Sequence, residues 1–385
     1  MHSIRSVLGA LVAAFTVAAV QATPIVPTRD DEVIDVLPAL PGNRAEEKRM
    51  RGLLAQQPTN PALALQAAKR YLDQARSSGD PRFAGMALSA IAGWTDASTM
   101  PDDILLMRAT LQQYLHDFDG SAGNLQRLVA RPTGAANPQA WLTLATVRRV
   151  QGRYVESDAA CAQVARAGAA LHSNACAAEN LALRGEVDRA RQVFGSLLAS
   201  RQPPQTQAWL TTSLAELEQR AGRPALAEAV FRRAIALDPD PYTLLDLADL
   251  LIEQQRPGEA LALLRDQVRS DPVLLRLAIA GTQARAPSAP ADVAEMRDRI
   301  ALANERPDAK VLHGREQAMF ALAIDHDAAH ALELARGNVV GQREPLDFLV
   351  YAEAANASGQ PAARREVARL TEQVGIVDQR VKALL

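Results

Sequence analysis

The sequence predicts an all-α protein, a solenoid of stacked helical hairpins. Two observations carry that expectation. Apolar residues make up 48% of the 385-residue chain, while aromatic residues make up only 4%. The core must therefore be built from Ala, Leu and Val, and alanine and leucine are among the strongest helix formers. The chain also repeats itself. Gly152, Gly185 and Gly222 stand in the phrases "VQGRY", "LRGEV" and "RAGRP". The small anchors Ala190, Ala227 and Ala260 follow at intervals of 37 and 33 residues. Ala215 to Ala248, and Pro239 to Pro272, are both 33 apart. The longer interval coincides with a proline-containing insert, "SRQPPQTQ", at 200–207. The underlying period is about 34 residues, that of a helix-turn-helix repeat.

The elements follow in chain order. "MHSIR" carries a positive charge at Arg5, and residues 6–20 form an uninterrupted, mostly apolar run. Small residues precede the position after Ala22. This is the pattern of a cleavable secretory signal, residues 1–22. A retained signal anchor is the competing reading, but the run falls short of the roughly 20 residues a spanning helix needs. Residues 23–45 hold four prolines and little helical pattern, and are expected to be an extended lead-in. A repeat domain, 46–385, follows. Its clearest units are 138–170, 171–204, 208–240 and 241–273. Weaker units precede them near 61–96 and 102–135. Residues 274–310 read as irregular, with "RAPSAPADV" as a loop between two helices. Degenerate units occupy 311–376. The final "GIVDQRVKALL" is expected to cap the array, because a terminal unit must shield its last apolar face.

The residues of the repeat match one family. Trp141, Leu144 and Ala145 stand in "AWLTLA". Ala227, Phe231, Ala234 and Pro239 stand in "ALAEAVFRRAIALDP", and Ala190 and Phe194 repeat the A-x3-F step. The chain resembles the tetratricopeptide repeat (TPR) family over most of its expected mature length. "HGREQAMFAL" and "GQREPLDFLVYAEAANASG" are similar to segments of exported bacterial proteins of this kind. The resemblance implies a right-handed α-solenoid of about eight TPR-like hairpins with a capping C-terminal helix.

Catalytic patterns are scarce. The chain has neither a phosphate-binding G-x-x-x-x-G-K-[ST] loop nor a G-x-S-x-G elbow. The net charge of −2 argues against a grip on nucleic-acid phosphates. His172 and Cys176 are four residues apart, a spacing that can activate a thiolate. Packing is the stronger reading, since Cys176 falls on the buried side of a first helix. His326 and His330, with Asp325 and Asp327 beside them, resemble a two-histidine metal site. In the repeat frame, however, "DHDAA" is the turn between two helices. His326 then lies in that turn, His330 begins the second helix, and Asp327 caps it. No metal and no cofactor is expected, with a metal-binding protein or metalloenzyme using His326 and His330 as the alternative.

The two cysteines are placed differently. Cys161 lies on the second helix of one unit, and Cys176 on the first helix of the next. With the turn between them near 167–170, they sit at similar heights on adjacent antiparallel helices. An even count in an exported protein favours a disulfide, against the alternative of two buried thiols.

Function is expected on a surface. Stacked hairpins leave a concave groove lined by their first helices. The resemblance places its groove positions on Thr146, Arg149, Glu179, Trp209, Glu216, Gln219, Arg220, Tyr242, Asp249 and Glu253. Trp209 lies two places earlier in its unit than Trp141 does, and either faces the groove or packs under the insert. The expected protein is a non-catalytic, periplasmic or secreted scaffold without a transmembrane segment in the mature chain. It binds a protein or peptide segment within a cell-envelope assembly or transport complex. A component of polysaccharide export or outer-membrane assembly is the alternative within that class.

Overall fold

A computed structural model describes residue 29 and residues 44–305 and 314–385. The expected signal peptide and most of the lead-in lie outside the described residues. The chain divides into residues 1–49 and a compact unit of residues 50–385. Of the former, the structure describes Arg29 and the start of α1 (Arg44–Gln56).

Residues 50–385 are built from helical pairs, and no strand occurs among the described residues. The pairs are α2 (Pro61–Ser78) with α3 (Pro81–Ala90), and α4 (Asp102–Tyr114) with α5 (Phe118–Val129). After the short α6 (Pro132–Ala135) come α7 (Pro138–Val150) with α8 (Tyr154–Arg166), and α9 (Ala170–Leu183) with α10 (Val187–Ala199). Next stand α11 (Pro204–Arg220) with α12 (Pro224–Leu237), and α13 (Pro241–Glu253) with α14 (Pro257–Leu264). The array continues with α15 (Asp271–Ala284) and α16 (Ala289–Asn304), then α17 (Gly314–Phe320) and α18 (Ala328–Asn338). It ends with α19 (Pro345–Ala357), α20 (Pro361–Val374) and the short α21 (Gln379–Leu384). Residues 274–310, expected to be irregular with a loop between two helices, carry most of the pair α15–α16 up to Asn304. Pro287 in the loop and Pro290 in the first turn of α16 interrupt the period there.

Local chemistry sets the helix starts. Asn137–Pro138 and Asp240–Pro241 each place an acceptor side chain at the N-cap and proline in the first turn. Asn137 Oδ1 accepts from Gln139 N at 3.0 Å, and Asp240 Oδ2 accepts from Tyr242 N at 3.1 Å. Proline costs nothing there, because that N–H would have no helical partner. The turns inside the central pairs use Gly152 and Gly185 at φ 71° and 80°, the left-handed region that suits glycine.

Packing follows from small residues at the crossings. Ala190, Ala227 and Ala260 are fully buried, so helix axes approach closely there. Phe194 and Phe231 fill the space beside them and are also fully buried. A hydrogen bond recurs across the pairs: Ser121 Oγ donates to Ala109 O, and Ser157 Oγ to Ala145 O, each at 2.8 Å. Cys161 and Cys176 form a disulfide between α8 and α9, with Cα atoms 5.8 Å apart.

The C-terminal pair packs against more than its neighbour. Val150 and Leu183 end α7 and α9, and a helix's last carbonyls have no partner within the helix. Arg343 N donates to Val150 O at 2.7 Å, and Val377 N to Leu183 O at 2.8 Å. A Cβ on Gly185 would lie 3.0 Å from Val377 side-chain atoms, so glycine is needed for approach as well as for φ. Tyr154 and Leu183 belong to one apolar core with residues of α18 to α21. The last stretch thus reaches back to central units, while α21 itself packs on α19.

Removing the disulfide by Cys161→Ala/Cys176→Ala should lower stability by about 3 kcal/mol in the chain-entropy account of a loop of this length. Denaturant titration measures it, and the parent protein should show no free thiol until reduced. Gly185→Ala should loosen residues 374–380, seen as faster amide hydrogen exchange at Val377 than in the parent.

Candidate functional site

The first helices α7, α9, α11, α13 and α15 line a cavity of about 730 Å³. Arg315 and Glu316 of α17, residues 343–346 and Arg380 complete its wall. All ten groove residues expected from sequence lie on this lining: Thr146, Arg149, Glu179, Trp209, Glu216, Gln219, Arg220, Tyr242, Asp249 and Glu253. They come from equivalent faces of consecutive units, so the array brings together residues more than one hundred positions apart.

Most of the charges are paired. Arg149 pairs with Glu179, which also accepts from Ser213 Oγ at 3.1 Å. Arg276 forms a two-pronged pair with Asp249, at 2.9 and 2.7 Å. Glu253 accepts from Arg380 Nη1 at 2.9 Å and from Gln219 Nε2 at 3.3 Å. Tyr242 Oη donates to Glu216 Oε1 at 2.5 Å. Arg220 stands 3.7 Å from Glu216, a looser pair. Trp209 both lines the cavity and stacks on His172, with ring centroids 5.8 Å apart. That stacking gives the His172 imidazole a packing role beside its helix start.

Several groups here depart from their ordinary acidity. Burial pushes the Asp246 carboxyl well up, and the charges of Glu216 and Asp249 add to it. Burial also raises Glu253, against the opposing pull of Arg380. On α19, burial and then the charge of Glu253 push Glu353 up to about 7. The charges of Asp246 and Glu216 raise the Tyr242 hydroxyl, and burial raises that of Tyr154.

Sequence reasoning missed Asp246, Tyr154, Arg276, Arg343 and Arg380, all on the lining. Asp246 carried a signal: it is four residues from Tyr242 and three from Asp249, on one face of α13. Arg343 and Arg380 carried none, because their place depends on the C-terminal return.

The two histidines fall on different elements, a turn and a helix start. His326, at φ 54°, ends a π-helical turn of Ala321–Asp325 that follows α17, and Asp327 Oδ1 accepts from His330 N at 2.9 Å as the cap of α18. Asp325 pairs with Arg297 at 2.7 Å. Among the described residues, no group of three or more His, Cys, Asp or Glu is placed to hold a metal ion. Among them, too, no helix is long and apolar enough to cross a membrane.

Stacked hairpins with a lined inner face define the class: a helical-repeat scaffold for protein–protein interaction. The tetratricopeptide repeat model matches residues 106–172, 177–242 and 212–273, so the central units of the chain carry repeats of that kind. Comparison with curated protein sequences finds no match. Three solved structures are similar to this chain. A Rap protein complexed with competence and sporulation factor is 12% identical, covers 89% of this chain and 93% of its own, and has a TM-score of 0.50. The pilF structure of Pseudomonas aeruginosa is 13% identical, covers 51% of this chain and 90% of its own, and has a TM-score of 0.38. The Cut9–Hcn1 hetero-tetramer of the APC/C is 13% identical, covers 80% of this chain and 59% of its own, and has a TM-score of 0.41.

Glu353 supplies a test of the electrostatics. Its folded-state value of about 7 exceeds the ordinary 4.5, so the fold holds the proton more tightly than the unfolded chain does. Its stabilising contribution is present below 4.5 and is lost as pH rises through about 7. Glu353→Gln should therefore gain thermal stability over the parent as pH rises across that window, with little difference below it. Thermal melts at a series of pH values measure the divergence.

Proposed function

We propose that this chain is an exported, non-catalytic scaffold that holds a protein or peptide segment in the cavity. Its place is a cell-envelope assembly or transport complex. The observation that carries the reading is the cavity itself, lined by consecutive first helices and large enough for several side chains. Ligand sites of this kind are concave, with volumes of roughly 300–1,000 Å³. Export is supported by the sequence of residues 1–22 and by the Cys161–Cys176 disulfide, a bond that persists in oxidising compartments. The similar Rap protein is complexed with competence and sporulation factor, and from it comes the expectation that this array also engages a second molecule.

Capture from envelope extracts with the chain beginning at Thr23 tests the reading. Charge reversal at Glu216, Asp249 and Glu253 should abolish recovery of the partner, and Glu216→Gln alone should weaken it, with circular dichroism verifying the fold. Undiminished recovery with all three reversed would remove the cavity from the interaction.

A further inference from the structure

The cavity holds polar groups that the protein does not satisfy by itself. Tyr154 is only 4% exposed, and its hydroxyl is buried with no hydrogen-bond partner. Arg220 is 8% exposed, and its Nε is likewise buried and unpartnered. Both line the cavity. Buried donors are nearly always paired in folded proteins, so an unpaired one needs an explanation. An acceptor brought by a ligand supplies it. Asp246 has the opposite character: no protein donor reaches its buried Oδ2, and its carboxyl lies against that of Glu216.

Charge decides what else the ligand carries. Nine carboxyl side chains and six guanidinium groups line the cavity. Apart from the free Nε of Arg220, most of the guanidinium groups are already committed. Arg276 is held by Asp249, and Arg315 lies against Glu316 and Glu344. Arg380 is shared between Asp378 and Glu253, at 2.7 and 2.9 Å. An anion would find few free partners and an excess of like charge. A cation beside Glu216 and Asp246 would relieve that excess. Tyr242 extends the same corner, with 58% of its surface exposed and its hydroxyl on Glu216. An aromatic face next to carboxylates suits a guanidinium or ammonium group.

We propose that the cavity takes a basic segment of polypeptide. Its cationic side chain lies between Glu216 and Asp246, and backbone carbonyl oxygens accept from the Tyr154 hydroxyl and Arg220 Nε. The proposal rests on the cavity being the ligand site and adds the chemistry of what enters it. A simple polyamine would satisfy the carboxylates and leave Tyr154 and Arg220 unpaired. A peptide satisfies both ends.

The test uses the chain from Thr23 and three probes: acetyl-(Ala-Arg)3-amide, acetyl-(Ala-Glu)3-amide and spermidine. Isothermal titration should show the Arg peptide binding more tightly than either of the others. Asp246→Asn and Glu216→Gln should each weaken it by about tenfold or more, a change well resolved by titration. Tyr154→Phe should weaken the Arg peptide severalfold, leave spermidine unchanged, and not lower the melting temperature. That last readout separates ligand contact from a merely structural role. Equal or tighter binding of the Glu peptide would overturn the proposal, as would Arg-peptide affinity indifferent to both Asp246→Asn and Tyr154→Phe. Competition against the captured envelope partner distinguishes the two levels of the reading. If the Glu peptide displaces that partner and the Arg peptide does not, the cavity stands and the ligand class falls. If neither displaces it and the cavity variants retain it, the cavity itself is not the site.

Discussion

A pair of helices cannot bury its own apolar faces, and the architecture follows from that constraint. Each pair hides its exposed stripe against the next, so the pairs must stack. Stacking demands close crossings, and fully buried Ala190, Ala227 and Ala260 make them. The gaps left beside such small residues are filled by Phe194 and Phe231. Consecutive units then present the same face inward, and polar side chains on that face converge. The candidate site is thus a by-product of packing: residues no hairpin could gather alone are gathered because the hairpins repeat.

Convergence creates an electrostatic problem. Carboxylates from α11, α13 and α19 meet in a partly desolvated space, where like charges raise one another's pKa. Arginines answer part of it. Arg276 comes from the neighbouring first helix, but Arg380 comes from the far end of the chain. The C-terminal segment reaches that place because the ends of α7 and α9 offer unpaired carbonyls, which accept from Arg343 N and Val377 N. Backbone hydrogen bonds that finish two helices therefore also bring charge to the cavity. The same return closes the apolar surface of Leu183 and Tyr154 against α18 to α21. It also accounts for the unpaired Tyr154 hydroxyl, held in a buried spot where the protein offers no acceptor.

Much of this was legible beforehand. The period and its glycines marked the central pairs, whose turns do carry Gly152, Gly185 and Gly222 at positive φ. The repeat frame identified the inward face closely enough that its ten named residues share one cavity. It also turned an apparent two-histidine motif into a turn and a helix cap. The frame was less informative where the local pattern fades. The stretch 274–310 read as irregular about its loop, although α15 buries Val273 and Leu277 in one apolar core and Leu274 and Ile279 in another. At the corresponding turn after α13, Gln255 takes a positive φ of 59°, so no glycine marked it.

What the sequence alone determined is the order of the central helical pairs and which of their residues share one lining. Both depend on spacing along one or two helices, where a period of 3.6 residues within a helix and about 34 between units leaves its mark on the letters. Tertiary structure decided which charges are paired, which polar atoms are left without partners, and where the last residues go. These depend on contacts such as Arg380 with Glu253, separated by 127 positions. No local period encodes such a contact. It arises because two helix ends need hydrogen-bond donors and the final segment is positioned to supply them.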